Sequence, residues 1–308
     1  MSKEVRRAAE ILGRGGLVAF PTETVYGLGA DASSAKAVAR LYAVKGRPAD
    51  HPVIVHFASS DEAFKWASEV SKEAKLLAER FWPGPLTLIL KRSDRAKDFV
   101  TGGQPSVGVR VPSHPIAREL LKEFGKPIAA PSANRFGRVS PTTAAHVRED
   151  LGADVDLVLE GGPSEVGIES TIVDLSGGAP VLLRPGKISK DDLQKIISLG
   201  KSDASPRHSG GMEKHYAPRT PARLVPTHEL DKEISKLKAR AAVLAFSRPD
   251  ERVDFWLRMP RDPAAYAQKL YAALRELDGA NCDTILIEAP PAESGWEAVL
   301  DRLRKATA

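Results

Sequence analysis

The chain has 308 residues, 42% hydrophobic and 28% charged, enough apolar material for one large or two ordinary domains with real cores. Its 45 Lys and Arg against 40 Asp and Glu leave a net charge of +5, compatible with an anionic ligand but too small by itself to argue nucleic-acid binding. One cysteine, Cys282, excludes an internal disulfide, and no apolar run approaches bilayer-spanning length, so no membrane partner and a cytoplasmic location are expected.

The N-terminus, MSKEVRRAAEILGRGG, has no apolar signal region and predicts an amphipathic helix over Glu4–Gly13. Leu17–Phe20 reads as an apolar strand stopped by Pro21, followed by Thr22, Glu23 and Thr24 and a loop punctuated by Gly27 and Gly29. Further helices are predicted over Ser34–Val44, Asp61–Phe81, Pro115–Phe124, Thr142–Leu151 and Ser189–Ser198. Strands are predicted over Val53–Phe57, Leu86–Leu90, Val107–Val111, Ile128–Ala130, Leu157–Leu159, Ser170–Leu175 and Val181–Leu183. The late strands lack helices between them, so the α/β pattern implies a mixed sheet.

At Gly200 the composition changes: GKSDASPRHSGGMEKHYAPRTP has no periodicity and reads as a linker. The α/β rhythm then resumes with a strand at Ala241–Phe246, a helix opened by Asp262 and Pro263 and running to Leu277, a strand at Asp283–Glu288 and a helix at Trp296–Lys305. The expected organisation is a large N-terminal α/β domain over 1–200, a linker or lid over 201–219 and a small C-terminal α/β, Rossmann-like domain over 220–308.

Polar residues two apart share a face of an extended chain. Thr22 with Thr24, Lys45 with Arg47, Gly108 with Arg110, and Ser132 with Asn134 form such pairs, and the same logic flags Ser170 and Arg184. Each has a plain alternative: Lys45 and Arg47 as solvated charges at a helix end, Ser132 and Asn134 as turn caps, Arg110 as an edge residue. His51 and His56, five apart without Cys or carboxylate company, make no metal pair. The set has no Ser–His–Asp triad, P-loop or dinucleotide fingerprint. Cations with hydroxyl and amide donors suit phosphates and carboxylates, handled by positioning and charge stabilisation.

In order along the chain, PTETVYGLG, KGRPADHPVIVH, FWPGPLT, SVGVRVP, PSAN, SPT, ESTIVDL and LLRPG resemble the YrdC-type threonylcarbamoyl-AMP synthases. SGGMEKHYAP and GWEAVLDRLRKA are similar to the linker and closing helix of that family's long, two-domain form. The resemblance implies a twisted mixed sheet around a basic cavity, and synthesis of threonylcarbamoyl-adenylate with pyrophosphate from L-threonine, bicarbonate and ATP. It also implies Mg²⁺ accompanying ATP, and delivery of the product to a tRNA threonylcarbamoyl-transferase for N6-threonylcarbamoyladenosine. By position, the family's threonine contacts fall on Thr24, His56, Arg110, Ser132 and Ser170. Its nucleotide contacts fall on Arg47, His51, Ser106, Asn134, Thr142, Arg184 and Tyr216, with Lys45 and Arg47 as catalytic cations and no protein-held metal. Two rivals remain: a basic cavity that binds tRNA or double-stranded RNA without chemistry, and a carbamoyltransferase of the hydrogenase-maturation type, against which the single cysteine argues.

Overall fold

A computed structural model describes residues 2–200 and 206–308; the part of the expected linker at 201–205 lies outside them. The chain forms two compact units. The first comprises Met1–Phe136, Pro141–Glu165 and Glu169–Gly211; the second comprises Gly137–Ser140, Val166–Ile168 and Met212–Ala308. This differs from a simple division at 200 and 220: residues 206–211 go with the first unit, and two short mid-chain segments go with the second.

Among the described residues the first unit is built on nine strands: β1 (Val18–Phe20), β2 (Gly27–Asp31), β3 (Val55–His56), β4 (Leu86–Lys91), β5 (Ser106–Arg110), β6 (Ile128–Ala129), β7 (Leu157–Val158), β8 (Thr171–Asp174) and β9 (Val181–Arg184). They form one sheet in the order β7-β1-β2-β6-β3-β5-β4-β8-β9. Three pairs are parallel (β1 with β7, β3 with β5, β4 with β8) and the other five antiparallel, so the sheet is mixed. β2 replaces the glycine loop expected there. Gly27 and Gly29 give it little strand propensity, but pairing with β1 and β6 supplies the ladder that propensity does not.

The long helix expected over Asp61–Phe81 is two, Ser60–Phe64 and Lys72–Phe81. Between them the backbone joins β4: Ser68 N–H donates to Lys91 O and Ser93 N–H to Trp66 O. Ser71 then restarts the helix as an N-cap, its hydroxyl accepting from Ala74 N–H.

Strand alternation decides which face of the central sheet is dry. Val55, Leu86, Leu88, Leu90, Val107, Val109 and Val173 all lie in the main core, with Leu41 and Leu77 from the covering helices. The residues between them point the other way and build the site described below.

The second unit adds β10 (Ala222–Val225), β11 (Ala241–Ala245), β12 (Phe255–Arg258) and β13 (Thr284–Glu288), all parallel in the order β10-β13-β11-β12. Helices Pro263–Asp278 and Glu297–Ala306 accompany it, the first opened by Asp262, whose carboxylate accepts from Ala265 N–H.

Candidate active site

Ladder register places His56 beside Arg110 across β3 and β5, and Ile172 beside both Thr87 and Arg184. With Ser106 and Gly108 alternating before Arg110, and Ser170 alternating before Ile172, one sheet face carries His56, Ser106, Thr87, Arg110, Ser170 and Arg184. Hydrogen bonds tie part of this row together. Ser170 Oγ lies 2.8 Å from Thr87 Oγ1, and Arg184 donates from Nη2 to Ser170 Oγ at 3.0 Å and from Nε to Ser170 O at 2.9 Å.

The Pro21–Val25 turn covers the Arg110 end of the row. Arg110 donates from Nη1 to Thr24 Oγ1 at 3.0 Å and from Nη2 to Glu23 Oε1 at 2.6 Å, while Glu23 Oε2 accepts from Ser113 N–H at 3.1 Å. Burial pushes the Glu23 carboxyl upward, but the Arg110 guanidinium and the Ser113 amide outweigh it and hold the group below its usual value. Arg110 Nε and His56 Nδ1 are buried with no hydrogen-bond partner. Burial, with Arg110 alongside, drives the His56 pKa down to about 3, so its ring is neutral.

A second cluster stands where a helix, Ala35–Lys45, ends in a left-handed Gly46. Lys45 Nζ donates to Ser132 O and Asn134 O, each at 2.5 Å, and so braces the turn bearing both residues. Burial first, then the charge of Arg47, holds its ammonium pKa well below the ordinary lysine value. Two of the three ammonium hydrogens are thus engaged by main-chain oxygens, leaving one for a ligand. Arg47 donates from Nη2 to Pro52 O at 2.7 Å, and its guanidinium lies 5.3 Å from the Phe136 ring centroid. His51 meets the same ring edge-on at 5.3 Å, and burial followed by Arg47 lowers its pKa.

Backbone contacts join the clusters. Gly27 bridges to Ser132, Tyr26 N–H donates to Pro141 O beside Thr142, and Pro52 O accepts from both Arg47 and Ser209 Oγ. Beside the Thr87 and Ser106 end of the row a pocket opens, lined by Pro52, Ile54, Thr87, Ser106, Gly108 and Ser209 among others. The former linker residues reach this cavity through specific bonds: Gln104 and Arg207 exchange side-chain-to-backbone hydrogen bonds, and Arg184 Nη1 donates to Ser209 O.

The structure therefore brings together Thr24, His56, Arg110, Ser106, Ser170 and Arg184 on one face, and Lys45, Arg47, His51, Ser132 and Asn134 beside it. Thr142 is buried in the same unit, its carbonyl accepting from Ser164 N–H. Tyr216 belongs to the second unit, where its ring packs on Tyr271 and His215 and under the Arg302 guanidinium. Glu23, Thr87, Phe136 and Gln104 escaped the sequence reading as site residues. Thr87 left a signal as the polar residue in the apolar run Leu86–Leu90, and Glu23 as the charged residue where the first strand hands over to its loop.

Fold and site define an α/β protein whose mixed sheet gathers cations and hydroxyls on one face, side chains whose chemistry suits anions. Residues 10–186 match a family model described as "Telomere recombination", the Sua5/YciO/YrdC family, and residues 188–308 match one described as "Threonylcarbamoyl-AMP synthase, C-terminal domain". The threonylcarbamoyl-AMP synthase of Pyrococcus abyssi is 40% identical over 99% of this chain and 94% of its own length. That of Bacillus subtilis is 38% identical over 98% and 92%. The structure of P. abyssi Sua5 complexed with L-threonine superposes with a TM-score of 0.93 at 39% identity, covering 99% of this chain and 94% of that one. The chain belongs to the Sua5/YciO/YrdC family, in the form that carries the additional C-terminal domain.

Proposed function

We propose that this chain is a threonylcarbamoyl-AMP synthase, a nucleotidyltransferase that condenses L-threonine, bicarbonate and ATP and releases pyrophosphate. The observation that supports it most is the single sheet face on which His56, Ser106, Thr87, Arg110, Ser170 and Arg184 converge beside the Lys45 and Arg47 cluster.

The threonine amine attacks the bicarbonate carbon, water leaves, and an oxygen of the resulting carbamate attacks the α-phosphorus as pyrophosphate departs. All three reactants carry negative groups, and crowding them costs Coulomb energy that fixed cations offset. Arg110, with Nε unpartnered, is placed for a two-pronged grip on the threonine carboxylate, which a lysine point charge does not reproduce. Thr24, His56, Ser132 and Ser170 complete the amino-acid subsite. Arg47, His51, Ser106, Asn134, Thr142 and Arg184 hold the nucleotide, and the remaining hydrogen of Lys45 goes to phosphate or bicarbonate. Residues 206–211, bonded to Pro52, Gln104 and Arg184, close one side of the cavity as a lid would.

Magnesium enters as part of the substrate, MgATP. Among the described residues no group of three or more His, Cys, Asp or Glu is placed to hold a metal, and Glu23 is engaged by Arg110 and Ser113. The product passes to a separate tRNA transferase, consistent with an enzyme that needs only weak RNA contact of its own and works in the cytoplasm.

Pyrophosphate release measured with threonine, bicarbonate or ATP omitted in turn tests the assignment. Release that requires all three is expected, with serine a poorer substitute for threonine. Salt-dependent RNA binding with no release under any combination would establish the binding-module reading instead.

A further inference from the structure

The polarity of one hydroxyl in the Pro21–Val25 turn is fixed by its neighbours. Thr22 Oγ1 lies 2.6 Å from Val25 O, and a hydroxyl has one hydrogen, which at that distance is committed to the carbonyl. Thr24 Oγ1 lies 2.9 Å from Thr22 Oγ1, so the hydrogen in that contact comes from Thr24. The adjacent amides of Thr24 at 3.2 Å and Val25 at 3.3 Å share the second lone pair of Thr22 Oγ1, the first being taken by the Thr24 hydroxyl, and this opposes its rotation. On its other side Thr24 Oγ1 accepts from Arg110 Nη1, a group that only donates. The buried Thr24 hydroxyl is left with a lone pair and no hydrogen.

We propose that Thr22 is a positioning residue that makes the Thr24 hydroxyl an obligate acceptor, so that the site reads an N–H on the α-carbon of its substrate. An α-amino acid offers a carboxylate acceptor next to an amine donor, the complement of the Arg110 N–H groups and the Thr24 lone pair. An α-oxo group in the same place sets lone pair against lone pair and leaves a buried polar group unsatisfied. The inference rests on the assignment of Thr24 and Arg110 to the amino-acid subsite.

The test compares dissociation constants of L-2-aminobutanoate and 2-oxobutanoate, which differ only in the α-substituent. Wild-type protein should prefer the amine. In Thr22→Val the Thr24 hydrogen is released to donate, and the preference should fall about tenfold, the worth of one hydrogen bond, while Thr22→Ser keeps the wild-type ratio. Thr24→Val removes the acceptor itself and should lower the preference as much, so the test does not depend on one variant folding. An unchanged ratio in folded Thr22→Val or Thr24→Val overturns the inference and leaves the amino-acid subsite standing. If neither ligand competes with L-threonine in the wild type, the subsite assignment fails and the inference with it.

Discussion

At His56 the ring is enclosed by Phe20, met edge-on at 6.2 Å, and by Arg110 on the neighbouring strand. Its pKa falls from 6.5 to about 3, so between these values the unfolded chain binds a proton that the folded one refuses. The unfolded state then carries more protons, and stability drops as pH falls. Between pH 7 and pH 5 the loss from this residue is about 2 kcal/mol. Urea unfolding at both pH values should show it in the wild type and not in His56→Gln; equal losses in the two would refute it. The parity that sets Ser106, Gly108 and Arg110 opposite Val107 and Val109 was legible, because strand alternation is a property of covalent geometry. The roles of Thr22 and Glu23 were not. They act through a turn whose partners, Arg110 and Ser113, lie almost ninety residues away.

Among elements, β2 shows where sequence pattern yields to packing. GLGAD lacks the β-branched residues that mark a strand, yet glycine is what its position requires. A Cβ on Gly29 would stand 2.9 Å from both Ile128 Cγ2 and the Phe20 ring, whereas one on Gly27 would meet its nearest neighbour, Ala130, at 3.4 Å. Gly29→Ala should therefore cost about 1–3 kcal/mol of unfolding free energy through overpacking. Gly27→Ala should cost under about 1 kcal/mol, in line with ordinary contact. Equal costs by chemical denaturation would show that backbone entropy, not the Phe20 and Ile128 contact, keeps both positions small. The split of the Asp61–Phe81 helix has a similar origin. Helical periodicity runs through that segment, and the backbone bonds of Lys91 to Ser68 and of Ser93 to Trp66 interrupt it before Ser71 caps the second helix. Helices closed by local signals, such as Pro115–Phe124 between its N1 proline and Gly125, coincide with their sequence reading.

For the whole molecule, the second unit is not a contiguous tail. It takes Gly137–Ser140 and Val166–Ile168 from the middle of the chain, where GRVS and VGI carry too few residues to reveal a partner. Within that unit Ala217 N–H donates to Gly137 O at 3.0 Å and Arg275 Nη2 to Val139 O at 2.6 Å. A Cβ on Gly167 would stand 2.4 Å from the Gln268 backbone, so the chain passes there only as glycine. Val139, Val166 and Ile168 are all buried. A chain ending at Gly211 would strip Gly137–Ser140 of these hydrogen bonds and expose three aliphatic side chains across the two segments, each worth about 1.5–3 kcal/mol of burial. Such a truncation should unfold at a lower urea midpoint than the full chain. Supplying residues 212–308 as a separate polypeptide should restore part of the difference. A truncated chain with an undiminished midpoint would mean that the two inserted segments settle into the first unit when the second is gone.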